Sequence, residues 1–75
     1  MSSTRQKLGK AVRRLRTERG YSQESFADAI GVHRTFMGAV ERGETNISLD
    51  NIVRIAKGLR LSLAEFFAEV EKDGR

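Results

Sequence analysis

Cysteine, proline and tryptophan are all missing from this 75-residue chain, and histidine occurs once. Without thiols there is neither a disulfide framework nor a thiolate metal site, and one histidine cannot assemble a metal centre alone. Metal and redox chemistry are therefore set aside, and no cofactor is expected. No apolar run approaches the roughly 20 residues that a membrane span needs, and no charged-then-apolar leader opens the sequence. The expectation is a soluble cytoplasmic protein with no membrane partner. An enzyme is disfavoured on similar grounds. His33 has no Cys, Ser or carboxylate constellation around it, no glycine loop is arranged to cradle a phosphate, and so short a chain leaves little room for a substrate cavity. No catalytic residue is assigned.

What is present is basic charge, unevenly spread. Residues 1–43 hold nine Lys and Arg against four Asp and Glu, whereas residues 44–75 hold five against six. A basic half suits a polyanion, because each cation that meets a phosphate releases condensed counterions. A solvated basic face gives the same composition, so the asymmetry needs a motif beside it.

Apolar residues recur at spacings of three and four, the period of helices, and the length allows one core, so residues 1–75 are read as a single all-α domain of five helices. The first runs from about Thr4 to Arg19, with Leu8, Ala11, Val12 and Leu15 on one stripe, and ends at Gly20. Ser22 caps a second that carries Phe26, Ala27 and Ile30 inward and stops at Gly31. After the link Gly31-Val32, a third spans about His33 to Arg42, with Met37 and Val40 facing the core and Gly43 closing it. Glu44 to Ile47 form a polar loop. Ser48 then caps a fourth helix bearing Leu49, Ile52, Val53, Ile55, Ala56 and Leu59. Ser62-Leu63-Ala64-Glu65 has capping-box spacing and opens a fifth, bearing Leu63, Phe66, Phe67 and Val70. Residues 1–3 and 72–75 are expected to fray.

Two helices crossing steeply over a short turn need a small residue at the contact and one tolerant of positive φ in the turn. Ala27 and Gly31 meet those needs, and Phe26, Ile30, Val32, Met37 and Val40 supply apolar anchors. This makes Gln23 to Arg42 a helix-turn-helix. Ser22-Gln23-Glu24-Ser25-Phe26-Ala27-Asp28-Ala29-Ile30-Gly31-Val32, followed by Val40-Glu41-Arg42-Gly43, resembles the phage repressor and Cro family over most of the chain. Within it, Arg34-Thr35-Phe36, Val40-Glu41-Arg42 and the Phe66-Phe67 final helix are similar to the small controller proteins of restriction-modification systems.

The resemblance implies a compact repressor-like fold, double-stranded DNA as partner and transcriptional regulation as a repressor or activator. In a repressor-like docking the third helix enters the major groove with its first residues at base edges. Base contacts then fall to Arg34, Thr35, Gly38 and Ala39. Arg34 can fork onto guanine O6 and N7, or remain a solvated or phosphate-bound charge. Gly38 and Ala39 lack the long polar side chains common in the family, which leaves reading to lean on Arg34, Thr35 and DNA shape. Contacts to the DNA backbone are assigned to Ser22 and Gln23 at the positive end of the second helix, to His33, and to Arg42, Thr45, Asn46 and Ser48 around the loop. His33 is also readable as an imperfect cap and more simply as a surface histidine, and Phe36 as core-edge packing ahead of a thymine or sugar contact. The family also implies a structural pair between Arg16 and Glu41.

One small domain makes few contacts, so a homodimer over half-sites about 34 Å apart on a palindromic or pseudo-palindromic operator is expected. Leu61, Leu63, Phe67 and Val70 provide a candidate self-association surface. RNA polymerase is a further candidate partner. Two other readings stand beside a dimeric regulator, namely an antitoxin-like autoregulator and a helical protein-interaction adaptor that does not recognise DNA.

Overall fold

Serine starts four of the five helices in the computed structural model, which describes residues 3–73. The elements are α1 Thr4–Glu18, α2 Gln23–Ile30, α3 Arg34–Glu41, α4 Leu49–Gly58 and α5 Leu63–Asp73, with no strand among the described residues. Side-chain oxygens of Ser3, Ser22, Ser48 and Ser62 each accept an amide that the first turn leaves without a helical partner. At Ser3, Ser22 and Ser62 the bond is reciprocated, with Gln6, Ser25 and Glu65 accepting the cap residue's own N–H. The Ser62 contacts also hold the Glu65 carboxyl below its ordinary pKa. Helix α3 is the exception, since the imidazole of His33 is its cap.

The apolar stripe of α1 forms the centre of the core, with Ala11 and Val12 fully enclosed by α3 on one side and α5 on the other. Phe26 comes from α2, Met37 and Val40 from α3, Ile55 and Leu59 from α4, and Phe66 from α5, all at most 1% exposed. Each buried aromatic removes about 2–3 kcal/mol worth of surface from water, which gives short helices their stability. No described helix is long and apolar enough to cross a membrane.

Several boundaries and faces differ from expectation. Helix α3 begins at Arg34 because His33 is extended at φ −78°, ψ 144°, so the link is Gly31-Val32-His33 rather than two residues. Leu49, expected inward, is 65% exposed. It stands in the first turn of α4, about two to three turns ahead of the buried Ile55, Ala56 and Leu59. Val70, expected on the self-association surface, is a core residue at 5% exposure, and Leu61 is half-buried against the same core. Both lie on the side of α5 and its entry turn that faces the other helices. Fraying was expected to include Ser3, Lys72 and Asp73, yet Ser3 closes a capping box and α5 continues to Asp73. Residues 1–2 and 74–75 lie outside the described residues.

Helix α5 is fastened to α1 by Arg14, whose Nη2 donates to Glu69 Oε1 at 2.8 Å. That hydrogen bond, aided by the charge of Lys72, holds the Glu69 carboxyl below its ordinary pKa. A depressed folded-state pKa contributes stability that is complete above the unfolded value of about 4 and is lost as pH falls through the folded value. We therefore expect Glu69→Gln to melt below the parent at neutral pH and to converge with it in acid. Thermal melts across that range check this, and a gap that persists in acid would rule the linkage out.

Candidate nucleic-acid interface

The turn between α2 and α3 begins at Gly31, in the left-handed region at φ 76°, where a side chain would be strained. Its conformation lets the Val32 N–H donate back to the Ala27 carbonyl at 3.0 Å, closing α2. Ala27 is 1% exposed at the point where the helices meet. Behind them, α4 approaches through Gly58, where an added Cβ would collide with Ile30 Cγ2 and lie 3.1 Å from the Phe26 ring.

An ion pair fixes the far end of α3. Arg16 Nε donates to Glu41 Oε2 at 2.7 Å and Nη2 to Glu41 Oε1 at 2.9 Å, while Nη1 donates to the Tyr21 carbonyl at 2.8 Å. The two side chains are 9% and 3% exposed. Bonding to Glu41 raises the already high pKa of the guanidinium against the lowering effect of burial. One arginine thus ties α1 to the last turn of α3 and to the strip of chain entering α2. Gln23 Nε2 donates to the same Glu41 carboxylate at 3.0 Å, so the first side chain of α2 is held against the end of α3.

On the outer side, Arg34 and Thr35 are exposed at the start of α3. Arg34 Nη1 lies 3.5 Å from Glu24 Oε2, both side chains about two-thirds exposed. Such an open pair contributes at most about 1 kcal/mol and releases readily to a better acceptor. Gln23, Arg34, Thr35, Gly38 and Arg42 line a shallow cleft of about 280 Å³. His33 Nδ1 accepts the Thr35 amide at 3.1 Å, which places the neutral ring's proton on Nε2. Asn46 is exposed in the loop after α3. The Ser22 and Ser48 hydroxyls sit at the starts of α2 and α4, engaged as caps.

The structure does not bring all the assigned residues to this face. Gly38 was expected on the exposed side of α3 but is buried, covered by Arg42, whose Nη1 is 3.0 Å from where a Cβ would stand, with Gln23 Oε1 3.8 Å away. Ala39 is half-buried. Phe36 packs against the core edge. Thr45 is half-buried and, with Asn46, lines a small apolar groove of about 160 Å³ whose other walls include Leu8, Ile47, Ile52 and Phe67. Of the proposed self-association residues, Leu63 and Phe67 remain open, at 39% and 40%, and Leu49 joins them as an exposed apolar side chain. Sequence reasoning missed the Gln23–Glu41 bond, the Glu24–Arg34 pair and the cover of Arg42 over Gly38. The last had a visible signal, since residues four apart on a helix are neighbours.

Comparison with known proteins accords with this geometry. Residues 12–66 match the helix-turn-helix family. The control protein C.MunI of a Mycoplasma species is 38% identical over 74 residues, spanning 97% of this chain and all of that protein. The crystal structure of the restriction-modification controller protein C.AhdI from Aeromonas hydrophila superposes with a TM-score of 0.80 at 43% identity, over 84% of this chain and 96% of that one. The controller protein C.Esp1396I, solved as a tetramer in complex with its natural 35-base-pair operator, gives 0.87 at 29% identity, over 97% of this chain and 96% of its own.

Proposed function

This chain belongs to the helix-turn-helix family, among whose members it is similar to restriction-modification controller proteins, and on that footing we propose that it regulates transcription as a homodimer bound to a palindromic or pseudo-palindromic operator, residues 1–75 forming one DNA-binding domain. Helix α3 enters the major groove and presents Arg34 and Thr35 to base edges. The observation that carries this is the contrast across α3: its inner face and last turn are locked by Met37, Val40 and the Arg16–Glu41 pair, while its first turn stands open beside a cleft edged by arginines.

Around that centre, the Gln23 amide opening α2, the Nε2–H of His33, and Asn46 in the loop after α3 meet the phosphates. Leu63 and Phe67, four residues apart on α5, form the apolar surface that a second copy covers. As a family member acting on DNA, the chain works in the cytoplasm and performs no catalysis.

Selecting bound duplexes from a random pool tests the proposal. The expected product is a motif with twofold symmetry and half-sites about one helical turn apart. Affinity should fall steeply with salt. Arg34→Ala should lose roughly 1–3 kcal/mol of discrimination at one base position per half-site. Should the variant enrich the same motif with the same selectivity, the assignment of Arg34 fails; should the parent enrich nothing, operator recognition itself fails.

A further inference from the structure

Gly38 offers no side chain to the cleft, but the space is occupied. Residues 34, 38 and 42 lie four apart and share one face of a helix, and side chains lean towards the helix N-terminus. Arg42, the last residue of that series, therefore lies back along α3, and its guanidinium rests over Gly38 with Nη1 3.0 Å and Cζ 3.8 Å from a would-be Cβ. Arg42 and Arg34 thus edge the same cleft, with Thr35 and Gln23.

From this arrangement we infer that Arg42 reads a base edge, acting as the second specificity-determining side chain through the slot that Gly38 leaves open. The inference rests on the operator reading above and replaces a phosphate contact at this residue. Three features argue for a base over a phosphate. Glu44 Oε1 stands 3.0 Å from Arg42 Nε in a solvent-open pair, the side chains 59% and 58% exposed, which sets a carboxylate beside that edge and disfavours a phosphate there. The residue caps the C-terminal end of α3, whose partial negative charge also disfavours an anion. With Glu44 beside Nε, the Nη1 and Nη2 edge is the part of the fork left for a base, and two parallel N–H donors match guanine O6 and N7. A helix rises 1.5 Å per residue, which puts the two arginine heads roughly 6–12 Å apart, or about two to four base pairs at 3.4 Å each.

The experiment repeats duplex selection with the parent, Arg42→Ala, Arg42→Lys and Gly38→Ala, alongside salt titrations and thermal melts. Arg42→Ala is expected to keep the bases read by Arg34 and to lose roughly tenfold preference for guanine at one further position per half-site. Arg42→Lys keeps the charge without the fork and should relax the same position. Gly38→Ala leaves every charge in place and suits a helix better, so it should fold at least as well, yet its Cβ pushes the guanidinium off its seat by a few tenths of an ångström and weakens that same preference. A uniform loss of affinity in Arg42→Ala across all sequences, with the salt slope reduced by about one, identifies a phosphate clamp and overturns the inference. An unchanged motif overturns it as well. A parent that selects no motif fails separately and removes the reading on which the inference depends.

Discussion

Arg16→Met is expected to destabilise the folded protein by about 3–5 kcal/mol, because it strands the Glu41 carboxylate. That carboxylate is 3% exposed and accepts two bonds from Arg16; without them its remaining partner is the amide of Gln23. Domains of this size have about 5–15 kcal/mol in total, so such a loss consumes much of the reserve. The same reasoning gives a sharper expectation for the pair. Taking two charges out of water costs nearly what their attraction returns, so Arg16→Met combined with Glu41→Leu should recover most of the loss. Chemical denaturation of the parent, both single variants and the double variant measures the coupling directly. If the double variant is as unstable as the sum of the singles, the penalty comes from lost packing and the stranded-charge account is wrong. The Arg16 bond to the Tyr21 carbonyl is lost in both backgrounds and cancels in the comparison.

The second large effect belongs to a residue with no side chain. Helix α1 crosses α3 at Gly9, where an added Cβ would stand 2.5 Å from the Val40 carbonyl oxygen and 2.6 Å from that of Glu41. Both atoms are backbone, in the last turn of α3, and neither can swing aside as a side-chain end would. Gly9→Ala should raise the helix propensity of α1 by about 1 kcal/mol, yet we expect a net loss of about 2 kcal/mol or more, since overpacking a contact that cannot relax costs about 1–3 kcal/mol and at times more. Pushing α3 outward also lengthens the Arg16–Glu41 bonds, which lie on the same interface. Gly20→Ala offers a contrast: nothing lies within 4 Å of a Cβ there, so its cost comes from its φ of +79° alone. Equal melting temperatures for Gly9→Ala and the parent would show that the helices can separate freely at this crossing.

Much of the architecture is legible in the residue pattern because it depends on local rules. Serine before a periodic run, glycine after it and apolar residues three and four apart are each physical causes of helix starts, stops and buried faces, and they locate all five helices to within a residue or two. The errors arise where a face is decided by what lies opposite. Leu49 and Val70 both fit the apolar stripe of their own helices, and nothing in either helix says that one meets solvent and the other the core. Gly9 illustrates the same limit. A glycine inside a helix signals a local cost, but the carbonyls that require it lie more than thirty positions away in the chain.

The interface divides in the same manner. Arg34 and Thr35 can be located from spacing, since the start of α3 follows from the turn glycine. The conformation of Arg42 over Gly38 cannot, because an absent side chain reads as an absence of function until the occupant of the space is seen. Likewise the apolar surplus on α5 is visible in the sequence, while its division between core and surface is set by the angle at which α5 meets α1.

Helices α2 and α3 have eight residues each. Isolated helices shorter than about 12–15 residues are marginal in water, so neither persists by itself. The recognition surface therefore comes into being only together with the core, and free, unfolded chain has no weaker version of it. Because DNA can engage only the folded form, occupancy draws the folding equilibrium toward it, by about 2.7 kcal/mol when free sites exceed the dissociation constant a hundredfold. A cell holding more of this protein than it has sites would then contain two populations of unequal lifetime, the bound one shielded from proteolysis and the surplus exposed to it.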